Sequence, residues 1–238
     1  VKIPQDAVPV WKFIYALATL IRPLFCRLVV EGTEHIPATG GCVVACNHTM
    51  GPDYVVLGYA STRQLYYMAK VEIFAWNPLL TRLFNAVGTF PIQRGKGDVT
   101  AINTAVEIVR SGKVLGMFPE GTRSRTGQLL RGKSGAARIA MLANAPVVPA
   151  VVIGASQILK QWYKLGPRPQ VIVRFGPPLH ITGNADNPEE ARANTEIIMR
   201  EMAMLLPPEL RGYYGETQTA SSQREEAEGI QANVKTGS

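Results

Sequence analysis

Along residues 10–28, Phe13, Ile14, Leu17, Leu20, Ile21, Leu24 and Leu28 recur at steps of three and four, drawing one apolar stripe along a helix with Lys12, Thr19 and Arg22 off it. Two readings stay open for that stripe: a helix packed on its own core, or one lying in a lipid interface. Downstream the pattern changes. Short runs rich in Val, Ile, Phe and Tyr occupy 28–30, 42–46, 64–69, 87–92, 114–118, 147–153 and 171–175, and their near-continuous apolar character predicts strands buried on both faces. Helical stretches are predicted between and after them at 52–60, 73–85, 99–111, 134–144 and 188–206. This alternation predicts an α/β domain with a largely parallel sheet flanked by helices. After Pro207-Pro208 the chain turns polar and rich in breakers, and 218–238 has almost no apolar periodicity, which predicts a mobile tail. The pattern thus divides the chain into an N-terminal helix over 1–25, an α/β domain over 26–210 and a polar tail over 211–238.

Composition narrows the picture. Of 238 residues, 46% are hydrophobic and 18% charged, enough apolar content for a sizeable core, which excludes a wholly disordered or fibrous protein. No stretch reaches the length of uncharged apolar sequence that a spanning helix needs; the best, 10–25, is interrupted by Lys12 and Arg22 and then meets Pro23. It also matches a signal peptide poorly, because Pro4 and Pro9 precede it and no small-residue cleavage site follows. Cys26, Cys42 and Cys46 are too few for a disulfide framework and odd in number, so free thiols in a reducing compartment are expected. The net charge of +7 suits an anionic partner, whether nucleic acid, lipid or a small phosphate compound. No recognition motif or aromatic-interleaved basic stretch supports nucleic acid.

Two polar clusters sit where buried strands are predicted to end. The run 42–46 delivers Asn47-His48-Thr49-Met50-Gly51-Pro52-Asp53, with Pro52 suited to a helix start and Asp53 in its first turn. A histidine with a carboxylate partner makes a general base, since the acid fixes the imidazole tautomer and stabilises the imidazolium. Taken alone the spacing also admits a structural histidine or a metal ligand. The run 114–118 ends in Pro119-Glu120-Gly121-Thr122-Arg123-Ser124, where Gly121 allows close backbone approach and Thr122, Arg123 and Ser124 offer donors to phosphate oxygens. Arg94 follows a third strand-like run. Residues 63–138 carry twelve lysines and arginines against four acidic residues, so cations gather around these motifs. For any one arginine an ordinary solvated surface remains the alternative, and it applies with most force to Arg125 and Lys133. Cys46, two before His48, is either a nucleophile or, as is usual at the end of an apolar run, packing. The three histidines, His35, His48 and His180, lie far apart without a ligand cluster, so no metal is predicted.

Asn47-His48 with Asp53, then 88–94, then Phe118-Pro119-Glu120-Gly121-Thr122-Arg123-Ser124, then Val148-Pro149-Ala150-Val151, resemble in order and spacing the four blocks of the glycerolipid acyltransferase family, in its 1-acylglycerol-3-phosphate O-acyltransferase branch. Met50, Pro91-Ile92-Gln93 and the lack of a serine two residues after the histidine depart from the commoner pattern and bear on substrate preference. The resemblance implies an enzyme that needs no cofactor and moves a fatty acyl group from acyl-CoA or acyl carrier protein to the hydroxyl of a lysophospholipid, making phosphatidic acid. It implies His48 as base, Asp53 as its orienting partner, no acyl-enzyme, and Arg94, Glu120, Gly121, Thr122 and Arg123 around the acceptor's phosphate, with Glu120 alternatively fixing the loop. Other acceptors, such as glycerol 3-phosphate, and a noncatalytic lipid-binding module are the rival readings. A lipid acceptor also tips the N-terminal helix toward an interfacial role on the cytoplasmic face of a membrane, helped by anionic headgroups. Apolar stretches at 57–67 and 73–84 are candidates for an acyl groove.

Overall fold

The computed structural model describes residues 3–4, 6–74, 77–92, 99–161 and 166–215. Seven strands, β1(Arg27–Glu31), β2(Cys42–Cys46), β3(Leu65–Lys70), β4(Thr89–Ile92), β5(Val114–Met117), β6(Val147–Ile153) and β7(Gln170–Phe175), form one sheet in the order β1-β7-β6-β2-β5-β3-β4. Every neighbouring pair is parallel except β6 with β7. The strand alternation of the sequence predicts this largely parallel sheet. Pro149 sits inside β6 although it has no N–H to give; it lies one residue before the pairing with β7 begins at Ala150, where its carbonyl still accepts from the Gly176 N–H at 2.7 Å.

The core follows the two-residue period of the central strand. Val43 and Ala45 of β2 face one side, against α5(Val99–Arg110), α6(Gly135–Ala143) and α8(Pro188–Leu205). Cys42, Val44 and Cys46 face the other, against α2(Asp53–Ala60). All five β2 side chains are fully buried, which explains why a sheet covered on both faces reads as an unbroken apolar run.

Two predicted helices need revision. The stretch 73–85 is two helices, α3(Val71–Phe74) and α4(Pro78–Ala86), because Pro78 disfavours helix at Asn77, whose side chain instead accepts from the Leu79 N–H at 2.7 Å. Helix α7(Ala155–Gln161), absent from the sequence reading, starts directly after Gly154, whose φ of 83° turns the chain at the end of β6.

The N-terminal helix, α1(Pro9–Ile21), ends in a 3-10 turn, Arg22–Leu24. It packs on α2 through a face different from the apolar stripe. Tyr15 stacks on Tyr59 with ring centroids 4.6 Å apart, Trp11 lies over Gly58, and the Thr19 hydroxyl meets the Tyr59 hydroxyl at 3.1 Å. The stripe residues Phe13, Leu17, Leu20, Ile21 and Leu24 therefore point away from the core, with Phe13 71% and Leu20 77% exposed. No helix among the described residues is long and apolar enough to cross a membrane. At the other end, the predicted tail lies outside the described residues beyond Gly215; its first residues, 211–215, still pack on the domain, and Tyr214 is buried with its hydroxyl accepting from the Gly132 N–H.

Candidate active site

Parallel register carries the ends of β2 and β5 to the same edge of the sheet, since Cys42 pairs with Val114 and Ala45 with Met117. The polar clusters that follow both strands therefore meet, as ligand sites do at the carboxyl ends of α/β strands. His48 leaves β2, and Asp53 opens α2 five residues on. The His48 Nδ1–H donates to Asp53 Oδ2 at 2.9 Å. Asp53 is fully buried and accepts two more bonds, from the Thr49 N–H and the Thr49 hydroxyl, both at 2.6 Å. Three donors thus hold one carboxylate in a fixed orientation, and the bond to Nδ1 leaves the imidazole lone pair on Nε2. Gly51 is required for the turn between them, because a Cβ there would stand 2.5 Å from the Ala155 carbonyl carbon.

The second cluster clasps the first. Glu120, only 2% exposed, accepts from the His48 N–H at 2.6 Å and from the Leu130 N–H at 3.0 Å, while the Ser124 N–H donates to the His48 carbonyl at 2.7 Å. Both main-chain groups of His48 are therefore held by the loop 120–124. Burial is the main cause that pushes the Glu120 carboxyl up to about 7, opposed by its two N–H donors and reinforced by Asp53. Both Glu120 oxygens are occupied by backbone N–H groups, so the side chain ties this loop to His48 and to Leu130. The Phe118 ring stacks on the imidazole with centroids 4.2 Å apart, and Tyr67 lies beyond Phe118 at 6.3 Å.

A cleft of about 620 Å³ opens at His48. Its polar lining includes Thr122, Arg123 and Arg125; its apolar lining includes Met50, Tyr54, Tyr67, Met68 and Phe84. Thr122 and Arg123 belong to the predicted phosphate loop, Arg125 just beyond it is the residue for which ordinary surface was the stronger alternative, and Tyr67 and Phe84 belong to the two stretches marked as acyl-groove candidates. Gly121, with φ of 65°, makes the turn that separates Glu120, directed inward, from Thr122 and Arg123, directed to the cleft. A smaller cavity of about 210 Å³ on the Gly121 side is lined by His48, Phe118 and Lys133. Arg94 lies outside the described residues. Cys46 is fully buried, and burial together with the nearby Asp53 and Glu120 carboxylates pushes its thiol well above the ordinary range, so the thiolate a nucleophile requires is disfavoured.

Sequence reasoning missed three contributors. Thr49 gives Asp53 two of its three bonds, Asn47 stitches the loop to β6 through the Val152 N–H and carbonyl at 2.7 and 3.1 Å, and Phe118 braces the ring. The available signal was position: each is a polar or aromatic residue placed directly at a strand end beside the motif.

The chain belongs to the acyltransferase family, which it matches over residues 27–153. It is 32% identical over 198 residues to the 1-acyl-sn-glycerol-3-phosphate acyltransferase of Bacillus subtilis (strain 168), covering 82% of this chain and 96% of that one. It is likewise 32% identical over 139 residues to the chloroplastic 1-acyl-sn-glycerol-3-phosphate acyltransferase BAT2 of Brassica napus, covering 57% of this chain and 40% of that one. The crystal structure of the 1-acyl-sn-glycerophosphate (LPA) acyltransferase PlsC from Thermotoga maritima shares the fold, with a TM-score of 0.62 at 24% identity over 82% of this chain and 79% of that one.

Proposed function

We propose that the enzyme transfers a fatty acyl group from a thioester donor, acyl-CoA or acyl carrier protein, to the free hydroxyl of 1-acylglycerol 3-phosphate, giving phosphatidic acid. The observation that carries this is the 2.9 Å contact of His48 with a fully buried Asp53, with His48 lining a cleft that also carries Arg123, Arg125 and apolar side chains. The relatives' names supply the acceptor.

Nε2 of His48 takes the proton of the acceptor hydroxyl as its oxygen attacks the thioester carbonyl. The resulting tetrahedral oxyanion collapses with cleavage of the C–S bond, and the thiolate leaves and recovers the proton from the imidazolium. A thiol is far more acidic than an alcohol, so the leaving group needs little help and no acyl-enzyme is required. Asp53 holds the tautomer and offsets the imidazolium charge. The cleft's part is to bring hydroxyl and thioester together, converting a bimolecular encounter into a positioned one.

Arg123 and Thr122, with Arg94, take the acceptor's phosphate, and the apolar wall takes acyl chain. Arg123→Ala is expected to raise the acceptor KM by about tenfold or more, the scale of one charge-assisted contact, with a smaller change in kcat. Steady-state kinetics against acceptor concentration check this; an unchanged KM removes Arg123 from the phosphate site. A panel of lysophospholipids and glycerol 3-phosphate, with products resolved by mass, tests the acceptor itself: preference for another hydroxyl compound overturns that part.

A lipid acceptor has to be met at the bilayer, and the outward stripe of α1 suits that docking. Phe13→Gln/Leu20→Gln alters side chains that touch little of the core, so the melting temperature should hold. Binding to vesicles should fall by at least about tenfold, since each apolar side chain buried is worth about 1.5–3 kcal/mol. Sedimentation with phosphatidylcholine vesicles measures it, and undiminished binding defeats the role of this helix.

A further inference from the structure

A second feature lies apart from the catalytic cleft, at the elbow where α1 turns into β1. A cavity of about 350 Å³ opens there, lined by Arg22, Cys26, Arg27, Leu28 and Gln170. Arg22 Nε is buried with no hydrogen-bond partner among the described residues. None of the ion pairs among the described residues involves Arg22 or Arg27. The ionisable neighbours that feel Arg22 are Tyr15 and Cys26, and burial raises both, so they stay neutral and give the guanidinium no countercharge. A buried N–H donor of a cation left unpaired is rare in folded proteins and points to a partner supplied from outside the chain.

Sheet register places this elbow. Arg27 pairs with Gln170 at the start of β1 and β7, and β7 runs antiparallel to β6, so these starts lie at the same sheet edge as the ends of β6 and β2. A Cβ on Gly154, which follows β6, would stand 2.4 Å from the Gln170 carbonyl oxygen, and Asn47, next to His48, bonds Val152 near the end of β6. The elbow and the catalytic histidine therefore open toward one edge. Around the elbow, Leu20, Ile21, Leu24 and Phe25 are exposed, Leu24 to 60%.

We propose that Arg22 and Arg27 form a phosphate-oxyanion site distinct from the catalytic cleft, which seats the phosphodiester headgroup of an anionic membrane lipid. This rests on the interfacial role of α1. Two guanidiniums present forked donors matched to phosphate oxygens, and Gln170 adds an amide to the wall. The adjoining exposed Leu and Phe side chains favour a lipid over free phosphate as the source, since they enter the acyl layer while the arginines stay at headgroup depth. Seating a headgroup here turns the His48 edge of the sheet toward the bilayer that holds the acceptor.

The test uses the full chain and vesicles of phosphatidylcholine with or without phosphatidylglycerol, a phosphodiester that is neither proposed substrate nor product. Diffuse charge attraction is controlled by Arg22→Lys/Arg27→Lys, which keeps the charge and removes the fork. That variant is expected to bind phosphatidylglycerol vesicles about fivefold or more weakly than wild type, with a smaller loss on phosphatidylcholine vesicles, whose phosphodiester is offset by the choline ammonium, and with circular dichroism unchanged. Arg22→Gln/Arg27→Gln should lose more. Equal binding of wild type and the lysine variant to anionic vesicles overturns the site while leaving α1 intact; no binding of wild type to either vesicle overturns α1 as an interface and the site with it. Inorganic phosphate without vesicles separates the sources. A rise in melting temperature seen in wild type and missing in the lysine variant assigns the site to free phosphate, whereas no rise alongside the vesicle effect assigns it to the lipid headgroup.

Discussion

His48→Ala is expected to retain less than about one hundredth of wild-type turnover, the usual cost of removing a general base. The loss should fall on kcat rather than on acceptor affinity, because the groups proposed to hold the phosphate belong to a different loop, with Thr122 and Arg123 on the far side of the Gly121 turn. Folding should survive. The loop's own ties are main-chain bonds at residue 48, to Glu120 and from Ser124, and these do not need an imidazole. Asp53→Asn probes the same machinery from beneath. Asparagine has one acceptor oxygen where the carboxylate accepts three bonds, so its amide N–H₂ faces either the Thr49 hydroxyl, which can accept, or the Thr49 N–H together with His48 Nδ1. Against Nδ1 it selects the tautomer with the proton on Nε2, which cannot accept the hydroxyl proton, and turnover should fall by about 100-fold to 10,000-fold. Single-turnover and steady-state assays with acyl-CoA and 1-acylglycerol 3-phosphate check both variants. Retention of more than about a tenth of wild-type turnover by His48→Ala removes the base assignment.

The central strands were legible because burial on both faces leaves a local trace: β2 and β6 appear as apolar runs with matching ends, Cys42–Cys46 and Val147–Ile153. The contact between His48 and Asp53 was legible because five residues of local sequence fix it. The partner of Glu120 was not, since the sequence leaves open whether it meets a phosphate or fixes the loop, and only the fold brings its side chain to the main chain of His48, distant in sequence. The direction of the α1 stripe was also beyond the sequence. Periodicity finds an apolar face, but the face that packs is made by Trp11, Tyr15 and Thr19, chosen by stacking and hydroxyl contacts with α2. Short helices such as α7 escape for a simpler reason: seven residues hold barely two turns of pattern.

Glu120→Gln is expected to change how stability depends on pH. The carboxyl rises from 4.5 in the unfolded chain to about 7 in the native state, chiefly through burial. Between those values the native protein holds a proton that the unfolded chain has released, so native stability falls as pH rises through this window and levels off above it. For a group 2% exposed, that shift corresponds to about 3 kcal/mol. Glutamine has no such titration but loses elsewhere: its single oxygen can serve the His48 N–H or the Leu130 N–H, and its amide N–H₂ then faces the other donor. An unpaired buried N–H costs about 1–3 kcal/mol. At pH 4.5 the wild type should therefore be the more stable by about that amount, and by pH 7.5 the gap should close or reverse. Denaturant unfolding of both proteins across this range measures the difference directly. A constant gap from pH 4.5 to 7.5 contradicts a Glu120 carboxyl that stays protonated into the neutral range. Activity separates strut from ligand: a strut displaces His48 and lowers kcat in Glu120→Gln, whereas a phosphate ligand would raise the acceptor KM.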